Sequence, residues 1–468
     1  MAALQHCLDS KRSELVIVYG RRRVGKTFLV DQFFKGKYDF TFVGGHKLPQ
    51  RTQLRNFAKS LKTAMQERMA RKFADWFDAF DTLEEYLSCL PEDRKKVVFI
   101  DEMPWIDTLK SNFIEAFENF WNGWAARRQD IVFIASGSAT SWMVDKLVEN
   151  QGGLHARITS QIYLRPFTLH ETEQYLRSHG CAWDRFQIAQ CYMFFGGIPF
   201  YLSLIDPSKS ISQNVNSLCF ERGGALQLEF DELYNALFNQ ADKYISVVSL
   251  LAEHRCGMTN AEIAKKLKLE GKRLTKVLRN LERCDFIMKF RYYGKKTQNS
   301  IYKLTDFYTL FYYKYIEPNM NSYDELWWMN HFDSKSVESW QGLSFELLCL
   351  MHIRQIRKAL NIAGVATEVT AWFDPADKEK AQRGSQIDLI IERADRIIHL
   401  CEMKFCQGSF RITADYDKKV RDRTELFREK TANKKSLVHT FVTTYGVANS
   451  IHSSLVHSEV KLDDLFIP

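Results

Sequence analysis

Residues 14–34 read ELVIVYGRRRVGKTFLVDQFF, and this stretch determines the fold expected for the N-terminal third of the chain. The apolar run Leu15–Tyr19 predicts a buried strand, and Phe28–Phe34 continue with helical spacing. Between them lie residues that fit the pattern GxxxxGK[ST], namely Gly20, Arg21, Arg22, Arg23, Val24, Gly25, Lys26 and Thr27. Because a strand, a glycine-rich loop and a helix follow in this order, we expect a phosphate-binding P-loop rather than a chance match in a basic turn.

The residue types of this loop suit a nucleoside triphosphate and a magnesium ion. Glycine lets backbone N–H groups point at phosphate oxygens, at the positive end of the following helix. Lys26 is expected to reach the β- and γ-phosphates, and Thr27 is expected to bind Mg²⁺ through its hydroxyl. The sequence therefore predicts ATP and Mg²⁺ as cofactors.

A second apolar strand, Val97–Ile100 within KKVVFIDEMPW, is followed by two acidic residues. We expect Asp101 to complete the Mg²⁺ shell and Glu102 to polarise the attacking water. An apolar run followed by Asp-Glu is a weak pattern alone, and it gains weight from the P-loop upstream. A third strand, IVFIASGSA, ends in Ser136 and Ser138. A polar residue there either senses the γ-phosphate or is an ordinary strand end.

The middle of the chain predicts two modules after a nucleotide-binding core of residues 1–165. Residues 166–238 have apolar residues at three- and four-residue spacing, which predicts a helical lid. Residues 239–318 predict three helices and a two-stranded wing, FIMKFRYY and SIYKLTD, around the turn GKKTQN. This is the pattern of a winged helix-turn-helix, whose second helix begins at a capping box of Thr259 and Glu262.

The positive charge of the chain is concentrated in this winged-helix segment. Residues 255–296 contain 13 Lys or Arg and four Asp or Glu, whereas the net charge of the whole chain is +8. Four cations fall on the outward face of the helix that such folds place in the major groove: Lys272, Arg273, Lys276 and Arg279. We expect these residues to bind DNA. The alternative is a winged helix that binds only protein or links domains.

Residues 330–468 predict a small α/β domain with the order helix, three strands, helix, strand. The first helix, SWQGLSFELLCLMHIRQIRKAL, carries Glu346, and the strands QIDLIIE and RIIHLCEMKF carry Asp388, Glu402 and Lys404. Carboxylates on adjacent strands suit Mg²⁺ or Mn²⁺, and a lysine beside them is placed to orient a hydrolytic water. The alternative is a solvated hairpin with chance charges, although an unpaired charge in an apolar strand is costly.

The chain resembles the archaeal-type branch of P-loop ATPases, related to AAA+ and STAND proteins, through VYGRRRVGKT, FIDE, SGS, HARI and GGIPFYL. The resemblance implies that Arg157 contacts the γ-phosphate and that Pro199 of the lid packs against the base or sugar. From the residues alone, Gly-Gly-x-Pro is only a turn signal. Members of the family carry a Gly-Arg-Glu stretch that contacts adenine before the P-loop strand. This chain begins MAALQHCL without it, which predicts a truncated or misassigned N-terminus.

The C-terminal segment resembles the PD-(D/E)xK nuclease fold, because Glu346 on the first helix is followed by Asp388 and then by Glu402-x-Lys404. The resemblance implies Glu346, Asp388 and Glu402 as metal ligands, and Glu402 and Lys404 as catalytic residues. The fold class expected is multidomain α/β. It combines an ASCE-type parallel sheet carrying the P-loop, a helical lid, a winged helix-turn-helix and a small restriction-endonuclease-like α/β domain.

Composition limits the class of protein. No apolar run reaches the roughly 18–20 residues of a membrane helix, and MAALQHCLDSKRSEL lacks the pattern of a signal peptide. The ten cysteines have no CxxC and no regular spacing, as in reduced cytosolic proteins. We therefore expect a cytoplasmic protein with no membrane partner and no zinc site.

Two functions from different classes fit these expectations. The first is an ATP-binding and ATP-hydrolysing enzyme acting on DNA, in which the ATP state controls the winged helix and a Mg²⁺-dependent nuclease domain. The second is a STAND-like ATP/ADP switch that regulates binding of DNA or of an unidentified protein partner, with a degenerate nuclease domain. A third, weaker hypothesis is a pure ATPase motor of a larger assembly.

Overall fold

The computed structural model describes residues 1–149, 152–154, 156–238, 240–295, 300–322, 324–375 and 384–468. These residues divide into two compact units, one of residues 1–165 and 233–241 and one of residues 166–232 and 242–468. Residues 296–299 of the expected wing turn GKKTQN lie outside the described ranges. No helix of the described residues is long and apolar enough to cross a membrane, and the ten cysteines are free thiols.

The first unit alternates strands and helices. In chain order its elements are α1 (Ala2–Asp9), β1 (Glu14–Tyr19), α2 (Lys26–Phe34), β2 (Phe40–Val43), α3 (Gln50–Met65), α4 (Trp76–Ser88), β3 (Lys96–Asp101), α5 (Phe113–Gly123), β4 (Ile131–Gly137), α6 (Thr140–Met143) and β5 (Ser160–Tyr163). The expected P-loop strand, acidic strand and serine-ended strand are thus β1, β3 and β4.

These five strands form one parallel sheet in the order β2-β3-β4-β1-β5. The P-loop strand β1 is separated from the acidic strand β3 by β4, as expected for an ASCE-type sheet. Leu15 and Ile17 pack into one apolar core and Val16 and Val18 into another, so both faces of β1 are covered. Because the strands are parallel, the residues at their carboxyl ends meet at one edge of the sheet.

The second unit is helical at first and ends in a sheet. Its elements are α7 (Leu169–Ser178), α8 (Arg185–Phe195), α9 (Pro199–Ser203), α10 (Ile211–Cys219), α11 (Glu229–Leu237, whose end belongs to the first unit), α12 (Ala241–Glu253), β6 (Met258–Thr259), α13 (Asn260–Leu267), α14 (Gly271–Arg283), β7 (Ile287–Phe290), β8 (Ile301–Leu304), α15 (Phe307–Phe311), α16 (Glu317–Asn319), α17 (Trp327–His331), α18 (Lys335–Met351), α19 (Ile353–Ala359), β9 (Thr367–Asp374), β10 (Ser385–Arg393), β11 (Ile397–Lys404), α20 (Ala414–Thr431), β12 (Ser436–Thr443) and β13 (Ser458–Lys461).

The helices and strands expected between residues 239 and 318 are present. Helices α12, α13 and α14 are followed by the antiparallel pair β7–β8, and the short strand β6 also pairs with β8. Thr259 and Glu262 form the expected capping box at the start of α13, a contact worth about 1 kcal/mol to a helix. The inner face of α14 is buried through Leu274, Val277, Leu278 and Leu281.

The C-terminal sheet has the order β13-β12-β11-β10-β9. Strands β9, β10 and β11 are antiparallel neighbours, whereas β11, β12 and β13 run parallel, with α20 as the connection between β11 and β12. The expected order helix, three strands, helix, strand is present, but the strand β13 was not expected. Its sequence, SEVK, is too short and too charged to give a period-two signal.

The first helix of this region ends earlier than the sequence pattern predicts. The chain leaves helical geometry at His352, which separates α18 from α19. The imidazole of His352 is buried, and it accepts a hydrogen bond from the backbone N–H of Leu169 (3.0 Å) at Nε2 while Nδ1 contacts the carbonyl oxygen of Leu348 (2.9 Å). His352 therefore joins α7 to α18, a tertiary contact that no local pattern predicts.

The expected wing strand FIMKFRYY also ends early. Strand β7 stops at Phe290, and the next residues pair with β9 instead: Tyr293 N donates to Ala371 O (2.7 Å) and Ala371 N donates to Arg291 O (3.2 Å). Arg291 also forms an ion pair with Glu368 (2.8 Å). Strand β9 is the last strand of the sheet, so its outer backbone groups need partners, and residues 291–293 supply them.

Candidate nucleotide and metal sites

The P-loop of residues 20–27 connects β1 to α2. Gly25 caps α2 with a φ of 85°, a left-handed conformation that glycine adopts without steric cost. Within the described residues no side chain caps this helix end, so the first N–H groups of α2 suit an anion. Arg21 and Val24 are buried, whereas Arg22 and Arg23 are partly exposed.

The Lys26 ammonium is held inside this loop. The residue is 5% exposed, and its Nζ donates to the carbonyl oxygens of Gly20 (3.1 Å) and Arg21 (3.0 Å) and to Ser138 Oγ (3.0 Å). An ammonium has three N–H donors, and all three are used here. Phosphate oxygens can take the place of these acceptors, so Lys26 fits the role expected from the sequence.

Thr27 and Asp101 bring oxygen ligands together at the ends of the P-loop and β3. The Thr27 hydroxyl donates to Asp101 Oδ2 (2.6 Å). The Ser136 hydroxyl and the backbone N–H of Glu102 both donate to Asp101 Oδ1, the latter over 2.9 Å. A hydroxyl and a carboxylate at this spacing are ligands that suit Mg²⁺. The Ser136 hydroxyl thus helps to hold the Asp101 carboxylate in one orientation.

Glu102 lies next to this group in a left-handed backbone conformation, with a φ of 48°. Its carboxylate accepts one hydrogen bond from the Ser138 backbone N–H (3.1 Å) and one from the Ser138 hydroxyl. The same hydroxyl accepts from Lys26, so the lysine, the serine and the glutamate form one chain of hydrogen bonds. Lys26, Glu102 and Ser138 lie in three separate segments of the sequence, so no single motif predicts that Ser138 links the other two.

The structure shows the local backbone surroundings of Arg157 and Pro199. Arg157 is exposed in the turn before β5, where its backbone N–H donates to Leu154 O (3.1 Å). Pro199 is the first residue of α9 in the second unit. A Cβ atom on Gly197 would lie 1.9 Å from Phe167 O, so close backbone approach accounts for the Gly-Gly-x-Pro turn. The nucleotide contacts of Arg157 and Pro199 stay predictions.

The basic face of α14 lies opposite its buried leucines. Lys272, Arg273, Lys276 and Arg279 are all exposed, as expected from the helical spacing. A row of cations on one exposed helix face has the charge and geometry needed to contact a phosphate backbone. DNA binding by this face stays a prediction.

Asp388, Glu402 and Lys404 lie on the neighbouring strands β10 and β11. The register pairs Leu389 with Cys401, and one step further Asp388 falls opposite Glu402. Residues directly opposite in an antiparallel pair share a face, and Lys404 follows Glu402 by two on that face. Glu402 is buried, with 7% of its surface exposed, whereas Asp388, the other carboxylate of the expected pair, is half-buried.

Helix α20 contributes two residues that the sequence reasoning missed or misplaced. The Arg423 guanidinium donates to Glu402 Oε1, and the Tyr416 hydroxyl donates to Glu402 Oε2 (2.5 Å). The Gln386 side-chain amide donates to Asp388, and the backbone carbonyl oxygen of Gln386 accepts a hydrogen bond from Arg423 (3.1 Å). From its sequence alone, Tyr416 fits either a solvated helix face or a contact with a phosphate backbone, and its bond to Glu402 is not predicted. Its spacing of seven from Arg423, two helical turns, is the signal that could have placed both on one face.

Glu346 on α18 completes the predicted set of acids. Burial, and then the Asp388 carboxylate, raise the pKa of Glu346 to about 7, while Lys303 and Lys404 act in the opposite direction. Glu346 and Asp388 both line a small cavity of about 40 Å³. Among the described residues, no three or more His, Cys, Asp or Glu side chains are grouped closely enough to hold a metal ion.

Comparison with known proteins adds family information for the N-terminal part. Residues 1–205 match a family model described as an ATPase domain predominantly from Archaea. The uncharacterized protein MJECL04 of Methanocaldococcus jannaschii is 23% identical over 403 residues, which is 83% of this chain and 82% of that protein.

Two solved structures are also similar. The Walker-type ATPase of Pyrococcus abyssi is 17% identical with a TM-score of 0.47, and the match covers 67% of this chain and 94% of that one. The ORC2 protein of Aeropyrum pernix, solved with ADPNP and ADP, is 13% identical with a TM-score of 0.40, covering 69% and 92%. Identities this low carry no activity to this chain. The family match bears on residues 1–205, which are similar to an ATPase domain found predominantly in Archaea.

Proposed function

We propose that the first unit binds ATP with Mg²⁺ and hydrolyses it, and that the second unit acts on DNA. The observation that carries the first part is the hydrogen-bonded chain Lys26–Ser138–Glu102 beside the pair Thr27–Asp101. It brings a phosphate-binding cation, a set of Mg²⁺ ligands and a carboxylate base to one edge of a parallel sheet. These are the parts that phosphoryl transfer to water requires.

Each residue has a distinct task in this proposal. Lys26 and the N–H groups at the start of α2 bind the phosphates, and Thr27 and Asp101 hold Mg²⁺, which neutralises charge on the transferred group. Glu102 orients and polarises the attacking water, and Ser138 holds Glu102 in position. Lys26→Ala should therefore abolish ATP binding in a calorimetric titration, whereas the exposed Lys37→Ala should bind as the wild type does. Unchanged binding by Lys26→Ala would exclude the P-loop as the nucleotide site.

The second unit is proposed to bind duplex DNA through α14. Support comes from the four exposed cations Lys272, Arg273, Lys276 and Arg279 and from the charge excess of residues 255–296. Helices in this position of a winged helix-turn-helix enter the major groove. The wing itself is engaged with β9 through residues 291–293, so α14 rather than the wing is the proposed contact.

Metal-dependent cleavage of DNA is the proposed activity of the C-terminal sheet. Asp388 and Glu402 on opposed strands, with Glu346 nearby, are proposed to hold Mg²⁺ or Mn²⁺, and Lys404 to orient the water. The Lys404 ammonium lies 5.3 Å from the centre of the Tyr416 ring, a contact that fixes its position near Glu402.

One observation favours the alternative of an ATP/ADP switch without cleavage. Both Glu402 oxygens already accept hydrogen bonds, from Arg423 and from Tyr416, so an ion pair satisfies this carboxylate without metal. In that case the C-terminal sheet is a structural module and α14 alone acts on DNA or on a protein partner.

Cleavage assays separate the two functions. Plasmid and single-stranded DNA would be incubated with Mg²⁺ or Mn²⁺, with and without ATP, using wild type, Lys404→Ala and the exposed control Lys434→Ala. We expect metal-dependent nicking by wild type and Lys434→Ala and none by Lys404→Ala. Absence of cleavage by wild type under every condition would exclude the nuclease function.

A further inference from the structure

A cavity of about 470 Å³ in the second unit has no role in the functions proposed above. It lies between α12, α15 and α18, and its walls include Arg255, Trp340 and the side chains of Ser249, Ser336 and Ser339. Small-molecule sites in proteins span roughly 300–1,000 Å³. The cavity is thus large enough for a ligand the size of one nucleotide.

Arg255 is the charged group inside this cavity. It is partly buried, and it makes no hydrogen bond or ion pair with any residue of the described ranges. Its guanidinium lies over the face of Trp340, with 5.8 Å between the guanidinium carbon and the ring centre. Burial lowers the pKa of Arg255, against the opposite effects of Tyr315 and Glu346. A partly buried guanidinium that has no hydrogen-bond partner among the described residues suits an anionic ligand.

Neutral donors line the same walls. The hydroxyls of Ser249, Ser336 and Ser339 can each donate to a ligand, whereas Trp340 is 2% exposed and its buried indole Nε1 is out of reach of one. The remaining charges, on Glu253, Lys314 and Glu317, belong to exposed residues at the rim, where solvent and salt screen them.

The cavity adjoins the candidate nuclease centre. Arg255, Leu310 and Leu343 line both this cavity and the small cavity that contains Glu346 and Asp388. A phosphate bound to Arg255 would therefore lie between a nucleotide-sized space and the acidic pair. This is the position of a phosphodiester whose terminal nucleotide fills the larger cavity.

We propose that this cavity binds one phosphorylated nucleoside, with the phosphate on Arg255 and the base or sugar on the serine hydroxyls. The nucleoside is either the end of a single DNA strand or a free mononucleotide. Its position beside Glu346 and Asp388 favours the strand end. The choice of a strand end as the ligand rests on the proposed nuclease function. Binding of a phosphorylated nucleoside in the cavity does not depend on that function.

Binding is measured without metal, so that it does not depend on cleavage. All proteins carry Lys26→Ala to remove the P-loop site, and EDTA is present. The ligands are dAMP and a short single strand with either a 5′-phosphate or a 5′-hydroxyl, titrated by calorimetry. The variants are Arg255→Gln, Ser339→Trp, which fills the cavity from an exposed position, and Arg222→Gln, which removes an exposed charge elsewhere in the unit. Circular dichroism of each variant verifies folding.

We expect Arg255→Gln to weaken binding of the phosphorylated ligands by at least about tenfold, Ser339→Trp to abolish it, and Arg222→Gln to change it less than twofold. Tighter binding of the phosphorylated strand than of dAMP identifies the strand end, and the reverse order identifies a free mononucleotide. Equal binding of the 5′-phosphate and 5′-hydroxyl strands together with no binding of dAMP would overturn the proposal. So would wild-type affinity in a folded Ser339→Trp variant. Neither result would affect the cleavage assay, whose readout is separate.

Discussion

Ser138 donates two hydrogen bonds to the Glu102 carboxylate, one from its backbone N–H (3.1 Å) and one from its hydroxyl. This arrangement keeps the carboxylate turned toward β4 and toward Lys26, which bonds the same hydroxyl. A base held in this way keeps one orientation at the edge of the sheet, as the proposed role of Glu102 in polarising the attacking water requires.

The first prediction concerns Glu102→Gln. The amide keeps the size of the side chain but loses the charge that polarises water, so ATP binding should stay within about twofold while turnover falls at least about 100-fold. Binding is measured by calorimetry and turnover by phosphate release. The exposed Glu115→Gln in the same unit is the matched control and should retain activity. Full turnover by Glu102→Gln would remove Glu102 from the mechanism.

The second prediction concerns the basic face of α14. Replacing Lys272, Arg273 and Lys276 by Gln removes three contacts with phosphates, so the slope of log affinity against log salt should become shallower by about 2.7. Fluorescence anisotropy with a duplex at several salt concentrations gives the slope. A control triple variant, Lys110→Gln, Arg222→Gln and Lys335→Gln, lowers the net charge equally and should leave the slope unchanged. Equal slopes for the two triple variants would contradict binding through α14.

The third prediction concerns the ion pair between Arg423 and Glu402. Arg423→Gln leaves a buried carboxylate without its cation and should destabilise the second unit by about 2 kcal/mol. If Glu402 is a metal ligand, Mn²⁺ should raise the Tm of this variant more than that of the wild type, because the metal takes the place of the guanidinium. Arg428→Gln on the same helix is the control. Equal Mn²⁺ effects in all three proteins would argue for a purely structural ion pair.

The fourth prediction concerns pH. Burial lowers the pKa of His352 from 6.5 to about 4, so the unfolded chain binds a proton more readily than the folded one between these values. The neutral, buried His352 therefore stabilises the folded state fully above pH 6.5. As the pH falls from 6.5 toward 4, the free energy of unfolding decreases by about 3 kcal/mol in total.

Comparison with His352→Gln isolates this contribution, since other buried histidines such as His439 titrate in both proteins. The difference in Tm between wild type and variant should shrink as the pH is lowered from 7 to 4.5. The exposed His331→Gln is the control and should follow the wild type. A difference that is constant over this range would show that His352 is not held neutral by burial.

The sequence predicted the parts of the fold that are local and missed those that depend on distant contacts. The strand, loop and helix around Lys26 are contiguous, so their order could be predicted from 21 residues. The similarity of residues 1–205 to an ATPase family model agrees with what this stretch indicated. The bonds from Ser138 to Glu102 and Lys26 could not be predicted, because they join residues 36 and 112 positions apart.

The same limit applies in the second unit. The carboxylates at 388 and 402 could be paired from strand periodicity, since the turn between their strands is short. Arg423 could not be assigned to Glu402, because its place depends on how α20 packs on the sheet. His352 lies inside an apolar helical pattern, and its contact with Leu169 depends on how α7 packs against α18.

The pairing of residues 291–293 with β9 has a consequence for how the chain can be divided. A fragment of residues 330–468 would keep its sheet but lose the backbone partners of Ala371, leaving an open strand edge able to pair with other chains. We expect such a fragment to associate through β9, whereas a fragment that begins before α12 would keep that edge covered. Residues 291–293 thus cover the outer edge of the C-terminal sheet from a segment that precedes it in the chain.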